Sequence, residues 1–136
     1  MRYTLDTNFM SAIINQNHDC IQRLARAIFE KHEVTLNPIA YFESKRGLMK
    51  PQYAKKLAEL ERMGLTYPML TVNKDVADTA AKIQADLEQA GMTIHEMDTL
   101  IAATAITHQA IVITRNVKHF ARVPRIRFEN WEDETA

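Results

Sequence analysis

The run Ile111-Val112-Ile113-Thr114 constrains the fold of this chain more than any other feature. An almost continuously apolar stretch of this kind suits a strand buried on both faces of a parallel sheet. Parallel strands need long crossovers, so helices should stand between them. The rest of the chain supplies both. Arg2–Leu5 alternates and is bounded by the turn-prone Asp6-Thr7-Asn8, which predicts a first strand. Val34–Leu36 is a second strand, and a short one from Arg127 to Glu129 closes the set. Phe9–Asn15 reads as a short helix. Asp19 is placed to cap another, with Ile21, Leu24, Ala25 and Ile28 at helical spacing. Asn37 before Pro38 marks a helix start, a capping residue followed by proline at the first helical position. That helix carries Ile39, Phe42, Glu43, Arg46 and Gly47. Pro51 opens a helix ending near Gly64, followed by an extended stretch from Leu65 to Leu70. Asn73 caps a long helix closing at Gly91, with Val76, Ala80, Ile83 and Leu87 as its apolar stripe. A last long helix runs from Met97 to His108. Strands alternating with helices predict an α/β fold with a mainly parallel central sheet, as one domain over residues 1–136.

Composition removes several classes of function. Hydrophobic residues make up 46% and charged residues 25%, which excludes a disordered chain. The longest stretch without a charge, Thr99 to Thr114, is shorter than the roughly 20 apolar residues of a membrane span. No secretory signal is visible at the N-terminus. The single cysteine, Cys20, fits a reducing cytoplasm and removes cysteine-rich zinc frameworks. It stands near a helix start, a position that can lower a thiol pKa; with no partner evident it reads as a packed or surface residue. The five histidines (His18, His32, His95, His108, His119) show no metal-ligand spacing. No serine nucleophile elbow or glycine-rich phosphate loop is present. A phosphotransfer aspartate of the haloacid-dehalogenase type would need a second aspartate where Asn8 stands.

Lysine and arginine total 17, matched by 17 acidic residues, but the charges are segregated. Lys45 to Arg62 holds six bases against Glu59 and Glu61. Arg115 to Arg127 holds five bases and no acid, whereas Asp75 to Asp98 holds six acids and only Lys82. Four more acids follow in the tail from Glu129. A neutral molecule can therefore present basic and acidic surfaces side by side, and neutrality is no argument against a nucleic-acid partner.

The topology gathers acids at one edge. In open parallel sheets, ligands bind beyond the carboxyl ends of the strands, where strand order reverses. Asp6 directly follows the first strand, and Thr114-Arg115-Asn116 follows the Ile111 strand. Glu43 lies on the helix after the second strand, and Asp98 starts the helix before the Ile111 strand. Three carboxylates in one cleft repel one another and need a cation, for which hard oxygen ligands suit Mg²⁺ or Mn²⁺. Each residue also has an ordinary alternative. Asp6 can be a turn residue or helix cap, Asp98 can cap its helix, Glu43 can pair with Arg46, and Asn116 can favour a turn.

Taken together, these residues resemble PIN domains. Tyr3-Thr4-Leu5-Asp6-Thr7-Asn8 is similar to the family's opening strand and aspartate. Glu43 with Gly47 is similar to its glutamate and following glycine. Ile94 with Asp98-Thr99-Leu100-Ile101-Ala102-Ala103 matches "I-x-x-x-D-x-x-I-A-A". Ile113-Thr114-Arg115-Asn116-Val117-Lys118-His119-Phe120 matches the closing "T-x-[DN]-x-x-x-F". The resemblance covers essentially the whole chain. At this length it is closest to VapC, the toxin of bacterial VapBC toxin–antitoxin pairs.

The resemblance implies a three-layer α/β/α sandwich and a Mg²⁺- or Mn²⁺-dependent endoribonuclease. Such an enzyme cuts structured RNA, often tRNA, and so halts translation. It further implies a homodimer, a VapB-type antitoxin that blocks the site, and contact with operator DNA only through the antitoxin complex. Asp6, Glu43 and Asp98 carry over as metal ligands, and Asn116 takes the fourth catalytic position. Members of the wider family often have aspartate there, while many VapC-like sequences also have asparagine. An amide brings no charge, so whether one ion or two are held stays open. Glu96 is a possible extra carboxylate, or a solvated first-turn acid favoured by the helix dipole. Thr7 and Thr114 can orient a ligating carboxylate or serve as turn residues. Arg115 and Lys118 neighbour Asn116 and are candidates for RNA phosphate. Arg46, one helical turn from Glu43, can contact phosphate or neutralise that glutamate. Arg122, Arg125 and Arg127 can line the groove or answer an acidic antitoxin segment. Two other readings stand beside the toxin: a PIN nuclease of RNA processing or decay, and a PIN-like binding module weakened in catalysis.

Overall fold

A computed structural model describes residues 1–132. The tail acids Asp133 and Glu134 lie outside the described residues. Four strands, β1 (Arg2–Leu5), β2 (Glu33–Leu36), β3 (Ile111–Ile113) and β4 (Phe128–Glu129), form one all-parallel sheet in the order β2-β1-β3-β4. Around it stand α1 (Thr7–Ile14), α2 (His18–Phe29), α3 (Pro38–Leu48), α4 (Ala54–Thr66), α5 (Lys74–Gln89), α6 (Glu96–Thr107) and the short α7 (Val117–Phe120).

Register shows why both faces of the sheet are covered. Tyr3, Val34 and Ile111 sit side by side, as do Leu5, Leu36 and Ile113, and all six are buried. The alternate row, Thr4, Thr35 and Val112, points to the other face and is buried as completely. The short strands thus lie between two helical layers in an α/β/α sandwich. Because β1 pairs with β2 on one side and β3 on the other, strand order reverses at β1, and in such sheets the crevice beyond the strand ends at that point is the usual ligand position. No helix of the described residues is long and apolar enough to cross a membrane.

Local sequence explains the helices that frame this crevice. Asn37 caps α3, its Oδ1 accepting from the amides of Ile39 and Ala40, while its Nδ2 donates to the Ile101 carbonyl of α6 at 3.2 Å. One buried amide therefore both starts α3 and ties it to α6. Asn73 caps α5, and Gly91 beyond its end takes φ +66°, the left-handed conformation glycine adopts without strain.

The start of α2 and both ends of α4 differ from the sequence expectation. Asn17, not Asp19, caps α2, accepting from the Cys20 amide at 3.1 Å. Its Nδ2 also reaches Glu132, so a contact far along the chain decides between two good capping residues. Pro51 opens a 3-10 turn over Pro51–Tyr53, and the α-helix begins only at Ala54; proline at a first position fits either helix type. Gly64 does not end α4, which continues to Thr66, so Leu65 is helical rather than extended. Gly64 serves close packing instead. A Cβ there would lie 3.1 Å from the Tyr41 ring, so the absent side chain lets α4 approach α3. Farther on, Met69 makes a single parallel bridge to Leu36. Cys20 is buried, and burial pushes its thiol pKa up.

Candidate active site

Asp6 sits where the sheet order reverses. Its amide donates to the Ile113 carbonyl of β3 at 3.2 Å, extending the ladder by one bond. Its carboxylate caps α1, accepting from the Phe9 amide at 2.9 Å. Capping is therefore a real duty of Asp6, but it does not account for its setting. The side chain is buried, and burial raises its pKa to about 6. Hydrogen bonds from Thr114 and the Phe9 amide oppose that rise, while the charges of Asp98 and Glu43 add to it. Asp6 thus feels both other carboxylates, brought from α6 and α3.

Each neighbouring acid has its own support. Thr7 Oγ1 donates to Glu43 Oε1 at 3.0 Å. Asn116 Nδ2 donates to Asp98 Oδ2 at 3.2 Å, and His119 Nδ1 lies 2.9 Å from the same oxygen. That nitrogen donates when it carries the proton. The Thr114 hydroxyl accepts from the Asn116 amide at 2.8 Å while bonding to Asp6, so it joins the two. His95 Nδ1 caps α6, which leaves Asp98 no capping duty.

Asp6, Glu43, Asp98, Asn116, Thr7 and Thr114 are thereby brought to one edge. The acids do not form a ready-made cage: among the described residues, no three His, Cys, Asp or Glu side chains are grouped to hold an ion. Glu96 is exposed and turns elsewhere, lining a shallow depression with Ala80, Ala81, Gln84, Thr99 and Leu100.

The cations take separate places. Arg115 is ion-paired with Glu132. Arg46 lies over the exposed Phe42 ring, 5.6 Å from its centroid. Lys118 is exposed on α7. Of the more distant arginines, Arg122 donates to the Thr93 carbonyl and Arg127 to that of Gln109.

Two features escaped sequence reasoning. His119 joins Asp98 and Asn116, and its position three residues after Asn116 on a helical turn is the signal that could have found it. Beside Glu43 and Thr7 a cleft of about 320 Å³ opens between α1, α3 and the start of α4. Ser11, Asn15, Ser44, Gly47, Tyr53 and Lys56 are among the residues that line it.

Comparison with known proteins agrees with this arrangement. The PIN domain family profile matches residues 3–126. Ribonuclease VapC2 of Rickettsia felis is 29% identical, over 97% of this chain and 99% of that protein. The tRNA(fMet)-specific endonuclease VapC of Salmonella typhimurium is 26% identical, over 96% of this chain and 98% of that protein. The crystal structure of VapBC2 from Rickettsia felis, bound to a DNA fragment from its promoter, contains a chain that superposes with a TM-score of 0.87. That chain is 25% identical, and the match covers 96% of this chain and 99% of it. With the aspartate after β1, the glutamate of α3 and the aspartate of α6 gathered at one sheet edge in that chain order, and the family profile matched over residues 3–126, the chain belongs to the PIN-domain family.

Proposed function

We propose that this protein is a Mg²⁺- or Mn²⁺-dependent endoribonuclease of the VapC type, acting on structured RNA, most specifically tRNA, to halt translation in the cytoplasm. The observation that carries this reading is Asp6. A buried carboxylate that feels two more, with no lysine or arginine paired to it among the described hydrogen bonds and ion pairs, is an anionic site in need of a cation. The donor chemistry fits. Asp6, Glu43 and Asp98 offer the hard oxygens that Mg²⁺ and Mn²⁺ take. When bound, such an ion polarises a phosphoryl oxygen and lowers the pKa of water.

The chain's own groups prepare the rest. Thr114 holds Asp6, and Thr7 holds Glu43. Asn116 and His119 both hold Oδ2 of Asp98, which fixes its carboxylate. Arg46 and Lys118, both exposed, are available to RNA phosphates; Arg115 reaches them only by leaving Glu132. The relatives support an antitoxin partner: the similar chains of Rickettsia and Salmonella were solved as VapBC bound to DNA. A VapB-type antitoxin would cover the site, a homodimer would form, and operator DNA would be met through the antitoxin complex.

Induction of the wild type and of Asp6→Ala in a bacterial host tests the toxin reading. Growth should arrest with the first and continue with the second. Equal arrest by both would sink metal-dependent cleavage as the toxic activity, and arrest by neither would leave a PIN nuclease without a toxin role. In vitro, tRNA cleavage should require Mg²⁺ or Mn²⁺ and stop with EDTA.

A further inference from the structure

The cleft beside Glu43 contains two features that the fold does not explain. Gly47 is the last residue but one of α3 and is exposed at the rim of the cleft. Its backbone needs no unusual conformation, and a Cβ there would meet nothing within 4 Å. The missing side chain thus leaves the cleft open on this side. Ser44, on the same wall, is nine-tenths buried, and its hydroxyl has no hydrogen-bond partner. An unmet buried hydroxyl is destabilising. Both features become intelligible if a ligand fills the cleft.

We infer that this cleft is a nucleotide subsite, which takes one unstacked nucleotide of the RNA next to the phosphate held at the carboxylates. The inference rests on the ribonuclease reading above. Size fits a single nucleotide, since about 320 Å³ lies at the low end of small-molecule pockets. Position fits, because Thr7 and Glu43 belong to both the cleft and the carboxylate site. Chemistry fits as well. Ser11, Asn15 and Ser44 offer hydroxyls and an amide for a ribose or a base edge, and Ile14 and Leu48 supply an apolar wall. Lys56 stands at the lip with its ammonium 5.8 Å from the Tyr53 ring centroid, in a basic stretch of the chain suited to a phosphate. A helical peptide would want a row of apolar anchors, and this lining provides only two aliphatic side chains.

The test compares Gly47→Leu, Gly47→Ala and Ser44→Ala with the wild type, using total bacterial tRNA and Mn²⁺ for cleavage and the metal-free proteins for melting. A nucleotide subsite predicts opposite movements. Tm should stay level or rise in the alanine variants, while KM should rise about tenfold for Gly47→Leu and about threefold for the other two. KM values equal to the wild type overturn the subsite and leave an antitoxin segment as the occupant to test. A rise in KM that comes with a fall in Tm in all three overturns it too, since the residues would then be structural. If the wild type itself cuts no RNA, the ribonuclease reading fails, which is a different result from active variants with unchanged KM.

Discussion

The two halves of the site are built in opposite ways. On the carboxylate side, the polar groups hold one another: Thr114 bridges Asp6 and Asn116, Asn116 and His119 share Asp98, and Thr7 fixes Glu43. On the cleft side, Ser44 has no partner and Gly47 faces empty space. The first half is arranged to keep negative charge in place with no lysine or arginine paired to it among the described ion pairs. The second is arranged to keep room. The contrast marks where charge is held and where a ligand is received.

The sharpest way to break this comparison is to remove a carboxylate. Asp98→Ala should lower tRNA cleavage about a thousandfold or more, because it removes a proposed ligand and the anchor of Asn116 and His119 together. Activity within tenfold of the wild type would show that the acids of α6 are not part of the catalytic half.

A second test turns on the cost of holding charge. Asp6 has a folded-state pKa raised from 3.8 to about 6, chiefly by burial. A carboxyl raised in this way favours folding when protonated, and that advantage is lost as pH rises through about 6. The metal-free Asp6→Asn protein should therefore be more stable than the wild type at pH 7.5, by up to about 3 kcal/mol. The gain should shrink as pH falls below 6 and vanish near pH 4. A melting series in EDTA checks this, and a gain independent of pH would mean that charge is not its origin.

Supporting groups should matter less. Thr7→Val removes the donor to Glu43 and keeps the shape, so cleavage should fall about tenfold with little change in Tm. The smallest effect is expected at Arg115. Its guanidinium is engaged by Glu132, so Arg115→Ala should change cleavage by less than about threefold. A larger loss in tRNA affinity would show that the pair opens to meet RNA.

Much of the frame was legible in the residues. The Ile111–Ile113 run announced a strand buried on both faces, and Asn37-Pro38 announced the start of α3, because in each the local chemistry and the tertiary role agree. Where they diverge, sequence reading fell short. Asn17 and Asp19 are equally good caps until Glu132 favours Asn17. Gly64 looks like a helix end until Tyr41 packs against it. The acids Asp6, Glu43 and Asp98 could be placed at one sheet edge by topology alone. The cleft could not, because it is a space between three elements, and empty space has no signature along a chain. Arg115 shows the converse: its neighbourhood in sequence pointed to Asn116, whereas its side chain turns to the tail.

The placement of β1 at the centre of the sheet has a consequence in time. Asp6 is synthesised before β3, yet its amide bond to Ile113 and its tie to Thr114 await that later strand. Contacts this distant in sequence close slowly, after the local helices have formed. Until β3 docks, one edge of β1 stands open and Asp6 faces neither Thr114 nor Asn116. The proposed site is therefore unfinished in any chain that lacks β3, whatever the state of the helices that carry Glu43 and Asp98.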